Sequence, residues 1–240
     1  MHSDPMSDVP EHIRELMPLV PNDYGEARAK AWDELQSMDP QNVARAAGVP
    51  YVPGDDGAAG RFLVTLLDEI EIVDMAERKV FGAKGLTLED AGAAPAGDLQ
   101  EVFPFMAVLP LHYLAGARDI PVAGEWISFR ELDAGEFYFP AFSARTTPKL
   151  LKAFGESPEL LCAAAERLRG KKIEPGDAGV SIPALPKVPV GIVVWRGEEG
   201  LPPAVTMLYD KSARQLLATE DLAVLGAITA GKLVRLASTS

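Results

Sequence analysis

Metal-ligating and disulfide-forming residues are scarce in this chain of 240 residues. Its one cysteine, Cys162, rules out an intrachain disulfide, and the chain alone cannot ligate an iron–sulfur cluster or a cysteine-rich zinc ion. Three histidines, His2, His12 and His112, leave little for a histidine-based centre, so no metal site is expected. Positive charge is also short: 23 Lys and Arg against 35 Asp and Glu give a net charge of −12. Phosphate backbones and anionic membranes attract a positive field, so neither nucleic acid nor a membrane surface is an expected partner. No long hydrophobic run exists either. The longest, Val102–Leu114, is too short to cross a bilayer and holds two prolines. The first five residues lack the basic flank and apolar run of a signal peptide, and no Asn-x-Ser/Thr site occurs, so the expected location is the cytoplasm.

What is present is a globular composition, 48% hydrophobic, at a length suited to one large domain or a small pair. Residues 1–21 read as a flexible extension with a short helix at Pro10–Leu19, and 22–236 as a single domain. Helical spacing of Ala27, Ala31, Leu35 and Met38 predicts a helix over Tyr24–Met38. Asp39-Pro40 starts another, which Gly48 closes. Phe62–Leu67, Glu69–Val73 and Arg78–Phe81 read as short strands. The Ala- and Gly-rich stretch 86–97 reads as a linker and the candidate sub-domain boundary. Asp98 is placed to cap an apolar helix running to Ala117, kinked at Pro110. Trp126–Leu132 and Glu136–Phe139 read as paired strands, and Thr147-Pro148 and Ser157-Pro158 as helix starts. Val190–Trp195 suits a strand buried on both faces. Ala204–Tyr209 is expected to pair with Arg214–Leu217, after which Thr219 caps a final helix, Glu220–Leu236. Strands in short hairpins predict an α+β fold with antiparallel sheet, N-terminal helices, a central kinked helix and a C-terminal helix.

Apparent catalytic motifs fail on their residues. Gly226–Leu233 approaches a phosphate-binding loop, but Leu233 replaces the magnesium-binding hydroxyl and the segment lies inside a predicted helix. Gly179–Pro183 begins like a nucleophile elbow without its closing glycine. Cys162, in an apolar run, reads as an inert core residue.

Two constellations carry more weight. His112 lies on an apolar helix with Val108, Leu109, Ala115 and Gly116 on its face, and the small neighbours leave room beside the imidazole. Such a histidine can offer an axial ligand to a corrinoid or haem-like tetrapyrrole, or can simply bond a backbone carbonyl in the core. The segment 126–142 holds six of the seventeen aromatic residues. Trp126, Phe129, Arg130 and Tyr138 there could line a pocket for a planar or acidic ligand, with Glu125, Glu131 and Glu136 as nearby carboxylates. The same residues could equally form a core hairpin with a structural Arg–Glu pair.

The stretches LHYL at 111–114, GEWISFREL at 124–132, FYFPAF at 137–142, ALPKVPVGIVVWRG at 184–197 and PPAVTMLYDKSA at 202–213 follow one another in this order. With them the chain, over 22–236, resembles an uncharacterised family of anaerobic bacteria and archaea, domain of unknown function 3786. The resemblance implies an accessory role in anaerobic cofactor metabolism, with an iron–sulfur or corrinoid protein as partner. The residues around His112 lack the Asp-x-His-x-x-Gly corrinoid signature. The expected function is a non-catalytic cytoplasmic ligand-binding or accessory protein holding a small molecule or tetrapyrrole at His112, Trp126, Phe129, Arg130 and Tyr138. One alternative is an enzyme on a small acidic or planar substrate, with Arg130 orienting it and Glu131 or Glu125 as base. A second is a protein–protein adaptor docking through Pro183–Pro189.

Overall fold

The computed structural model describes residues 24–239, so the extension at 1–21 and its predicted helix lie outside the described residues. Two helices come first among the described residues, α1 (Tyr24–Ser37) and α2 (Pro40–Ala47). The Asp39 carboxylate accepts from the Asn42 N–H at 2.8 Å, Pro40 sits in the first turn, and Gly48 at φ 70° ends α2 in the left-handed conformation glycine tolerates.

Five strands in chain order, β1 (Tyr51–Val52), β2 (Arg61–Leu66), β3 (Glu69–Asp74), β4 (Lys79–Gly82) and β5 (Gln100–Glu101), make one antiparallel sheet. The stretch 86–97 lies between β4 and β5 and carries a short helix, α3 (Leu88–Ala93), capped by the Thr87 hydroxyl. A second antiparallel sheet has the order β6-β10-β9-β8-β7. Its strands are β6 (Trp126–Ser128), β7 (Lys171–Lys172), β8 (Ala178–Leu185), β9 (Val188–Trp195) and β10 (Ala204–Asp210). Four more helices, α4 (Pro104–Ala115), α5 (Gly135–Phe154), α6 (Glu159–Glu166) and α7 (Thr219–Ala237), complete an α+β fold.

Strand alternation divides the first sheet's side chains between two environments. Phe62, Val64, Val73 and Val80 join a large core that also takes Trp32 and Leu35 of α1, Val180 and Ile182 of β8, and Leu222 and Leu233 of α7. Leu63, Ile70, Ile72 and Phe81 form a smaller cluster with Ala91 of α3. Hydrogen bonds tie the sheets, Leu67 N–H to the Ala184 carbonyl at 2.8 Å and the Arg169 guanidinium to the Leu67 carbonyl at 2.8 Å. The buried Tyr113 hydroxyl donates to the Ala47 carbonyl at 2.6 Å and accepts from Lys187 N–H at 3.1 Å. Glu71 of β3 is buried with no partner for its Oε2 among the described residues, and burial, then Glu69, push its carboxyl up to about 8.

Several local expectations change. The aromatic hairpin does not form. β6 stops at Ser128, whose N–H and hydroxyl both donate to the Glu131 carboxylate, and after a 3-10 turn at Phe129–Glu131 the chain enters α5. Residues 136–139 are thus helical, and Thr147-Pro148 is interior to α5. Phe142, Thr146, Leu150 and Phe154, buried at spacings of four, stabilise the whole length of that helix, which overrides the strand preference of the aromatics. Arg214–Leu217 is not a strand, because β10 is already flanked by β9 and β6, and a 3-10 turn stands at Ala213–Gln215. The apolar helix begins at Pro104 instead of Asp98, since Gln100–Glu101 extends to pair with β4. Thr219 lies inside the first turn of α7, its hydroxyl donating to the Asp133 carbonyl at 2.6 Å, and Ala218 holds the cap position. No helix among the described residues is long and apolar enough to cross a membrane.

The last helix reaches the core through Gly226, where an added Cβ would lie 2.2 Å from Tyr209 Oη and 2.9 Å from the Phe142 ring. Gly226→Ala would gain about 1 kcal/mol of helix propensity on an isolated helix. Here the clash reverses the sign, and denaturant unfolding should show a net loss of roughly 1–3 kcal/mol. An increase in stability would contradict this packing.

Candidate functional site

Three helices bring matching faces to one cavity of about 390 Å³. α4 contributes Phe105, Val108, Leu109 and His112, spaced so that all lie on one helical stripe. α5 contributes Tyr138, Ala141, Phe142 and Arg145 by the same rule, and α7 adds Glu220, Asp221, Ala223 and Val224, with Ala27 of α1 at one side. Most of this lining is apolar, and the volume falls in the small part of the roughly 300–1,000 Å³ range of ligand cavities.

The polar groups are few and differ in how they are matched. His112 Nδ1 stands 2.9 and 3.0 Å from the two carboxylate oxygens of Asp221. The Asp221 hydrogen bond raises the His112 pKa above its ordinary value, against the opposing effect of burial. The imidazolium is favoured, with Nδ1–H donating. The Tyr138 hydroxyl donates to the Glu220 carboxylate, which raises the phenol's pKa. The Arg145 guanidinium makes no hydrogen bond, ion pair or ring contact with another described residue. On the far side of the His112–Asp221 pair lies an open groove of about 380 Å³, bordered by Ala115, Gly116, Arg118 and Arg214.

Of the residues expected at the site, His112 and Tyr138 meet in the cavity. Phe129 is buried behind it, stacked on Phe142 with ring centroids 4.0 Å apart. Trp126 pairs with Asp210 in the second sheet, its ring facing Gly191. Arg130 bonds Glu136 at 2.5 Å, covers the Phe139 ring at 3.7 Å, and with Phe129 borders a separate cavity of about 180 Å³. Glu125 pairs with Lys211 at 2.8 Å, and Glu131 is held below the usual carboxylate range by its bonds from Ser128. Cys162 is half-buried, packed against the edge of the core beside Glu159 and Arg196 on an open surface groove. His112 bonds a carboxylate, not a backbone carbonyl. Arg145, Glu220 and Asp221 are the residues that sequence reasoning missed. A continuous helix through 138–145 would have placed Arg145 two turns from Tyr138, but the hairpin reading ended that face at Phe139. Glu220 and Asp221 stood only as the opening residues of the predicted final helix.

The His112–Asp221 bond predicts a pH dependence. With its folded pKa above the unfolded value of 6.5, His112 contributes stability that is fully present below that value and lost as pH rises through the folded pKa. Asp221→Asn should lower the His112 titration midpoint followed by proton NMR. It should also reduce stability more at acidic than at alkaline pH. An unchanged midpoint would contradict the pairing.

No curated protein and no solved structure matches the chain significantly. The sequence model of one family, described as a domain of unknown function (DUF3786), matches residues 39–232, which include β1–β10 and the helices α4, α5 and most of α7. With that match over most of its length, the chain belongs to the DUF3786 family.

Proposed function

We propose that this chain is a cytoplasmic, non-catalytic binding protein that holds a small, largely apolar molecule between α4, α5 and α7. The observation that carries the reading is the His112–Asp221 pair at the edge of a cavity walled mainly by Phe105, Val108, Leu109, Phe142 and Val224. Ligand cavities combine such apolar walls with a few convergent polar groups. Binding is favoured over catalysis by the state of those groups. The Asp221 bond favours the charged form of His112, which has no free lone pair to act as a base, and the Glu220 carboxylate is already bonded to Tyr138. The enzyme alternative built on Arg130 has less support, because Arg130 is matched by Glu136 away from this cavity. An adaptor docking through Pro183–Pro189 also has less support, since Pro183 pairs with Pro189 across β8 and β9 and Ala184, Leu185 and Val188 are buried.

The residues present do not fit a corrinoid or haem-like tetrapyrrole well. A carboxylate holding Nδ1 suits a metal-ligating imidazole. Yet Trp126 and Arg130 do not border the His112 cavity, and Phe129 lies behind Phe142, so of the residues expected to stack a flat macrocycle only Tyr138 faces His112. The accessory role in anaerobic cofactor metabolism, and an iron–sulfur or corrinoid partner, rest on the family resemblance and belong to the same proposal.

Titration with 1-anilinonaphthalene-8-sulfonate tests the reading, because its fluorescence reports an apolar site. One saturable site is expected, weakened in Ala141→Trp, which adds bulk at an exposed position on the cavity lining without touching the core. Binding unchanged in that variant would place the site elsewhere. Haemin and hydroxocobalamin should give no spectral change that depends on His112. A change lost in His112→Ala would restore the tetrapyrrole.

A further inference from the structure

We infer that the molecule taken by this cavity is an amphipathic acid, its carboxylate or similar small anionic group held by Arg145 and its apolar part between Val108, Leu109, Phe142 and Val224. The inference rests on the cavity being the binding site and adds the chemical class of the occupant.

The guanidinium's isolation is the starting point. Acids are plentiful in this chain, 35 against 23 basic residues, and several arginines pair with them. Arg61 bonds Asp74 at 2.7 Å, Arg78 bonds Asp33 at 2.8 Å and Arg196 bonds Glu159 at 3.0 Å. Arg145 has two carboxylates lining its own cavity and pairs with neither. Asp221 is taken by His112 and Glu220 by Tyr138, so both acids are matched and the half-buried cation is left over. A half-buried guanidinium beside apolar walls with its donors uncommitted is placed to bond an anionic ligand. A planar guanidinium suits a carboxylate because two parallel N–H donors meet two oxygens. The Asp221 bond favours the charged form of His112, which lessens the repulsion that the cavity's two acids alone would set against an incoming anion.

The geometry also orders the ligand. Arg145 lies one turn beyond Ala141 and Phe142 on α5, and Phe142 is buried at the cavity floor. An acid held at Arg145 therefore lays its apolar part along Phe142 toward Val108 and Val224.

Isothermal titration of the full chain with decanoate and with 1-decanol, below the concentrations at which either aggregates, separates the possibilities. The wild-type chain should bind decanoate about tenfold more tightly than decanol, or better, as expected of a hydrogen bond to a charged group. Arg145→Ala should bring decanoate down to the level of decanol and leave decanol unchanged. Arg145→Gln, which keeps the length and polarity of the side chain, guards against an effect of misfolding and should lose the same preference. Equal binding of acid and alcohol by the wild-type chain, or a preference that survives both substitutions, would overturn the anionic assignment while keeping the cavity as the site. Binding of neither compound would overturn both.

Discussion

The close approach of α7 to the core at Gly226 positions everything that follows. Without a Cβ there, the helix axis can come close enough for Phe142 and Tyr209 to pack against its backbone, and the Tyr209 hydroxyl donates to the Leu222 carbonyl at 2.8 Å. That contact fixes the rotation of α7, which turns Leu222 and Leu225 into the core and leaves Asp221 and Val224 toward α4 and α5. His112 then finds the Asp221 carboxylate across 109 residues of sequence. The glycine that looked like the start of a phosphate-binding loop is accounted for by this packing. Lys232, which would end such a loop, is committed to Asp68 and Glu69 at 2.8 and 2.9 Å.

The cavity's electrostatics follow from the same arrangement. Partly buried charges persist when each has a partner. His112–Asp221 meets that condition, and Tyr138 satisfies Glu220. Of the charged side chains lining this cavity, Arg145 is the one without a partner among the described residues, and it stands at a concave apolar surface. Arg130, by contrast, reaches from the 3-10 turn before α5 to both a carboxylate in Glu136 and an aromatic face in Phe139, early in that helix. The sequence pointed to Arg130 and passed over Arg145, fifteen residues on, and only their partners in space distinguish a structural cation from a candidate ligand-binding one.

Local chemistry made much of the fold legible. The Asp39-Pro40 start and Gly48 end of α2, the strands β2 to β4 and the apolar β9 all follow from capping and periodicity at those residues. The Val108, Leu109 and His112 face was also readable, because an apolar helix shows its neighbours at fixed spacing. Misreadings occurred where tertiary packing outweighed local preference. Phe137, Tyr138 and Phe139 favour a strand, yet the stripe Phe142–Thr146–Leu150–Phe154 carries the helix back through them. That one reversal moved Tyr138 and Arg145 onto a common face and removed Trp126 and Arg130 from the cavity. Asp221 was beyond reach of sequence reading, since nothing local to it signals a contact with α4.

The central claim is that one cavity, between α4, α5 and α7, receives the acidic end and the apolar body of a single small molecule. Mapping amide shift changes on the ¹⁵N-labelled chain as decanoate is added tests it directly. The changes should concentrate at Val108, His112, Ala141, Arg145 and Val224 and saturate together. Changes centred instead on the groove beside Cys162 and Arg196, or on the cavity beside Arg130, would contradict the account.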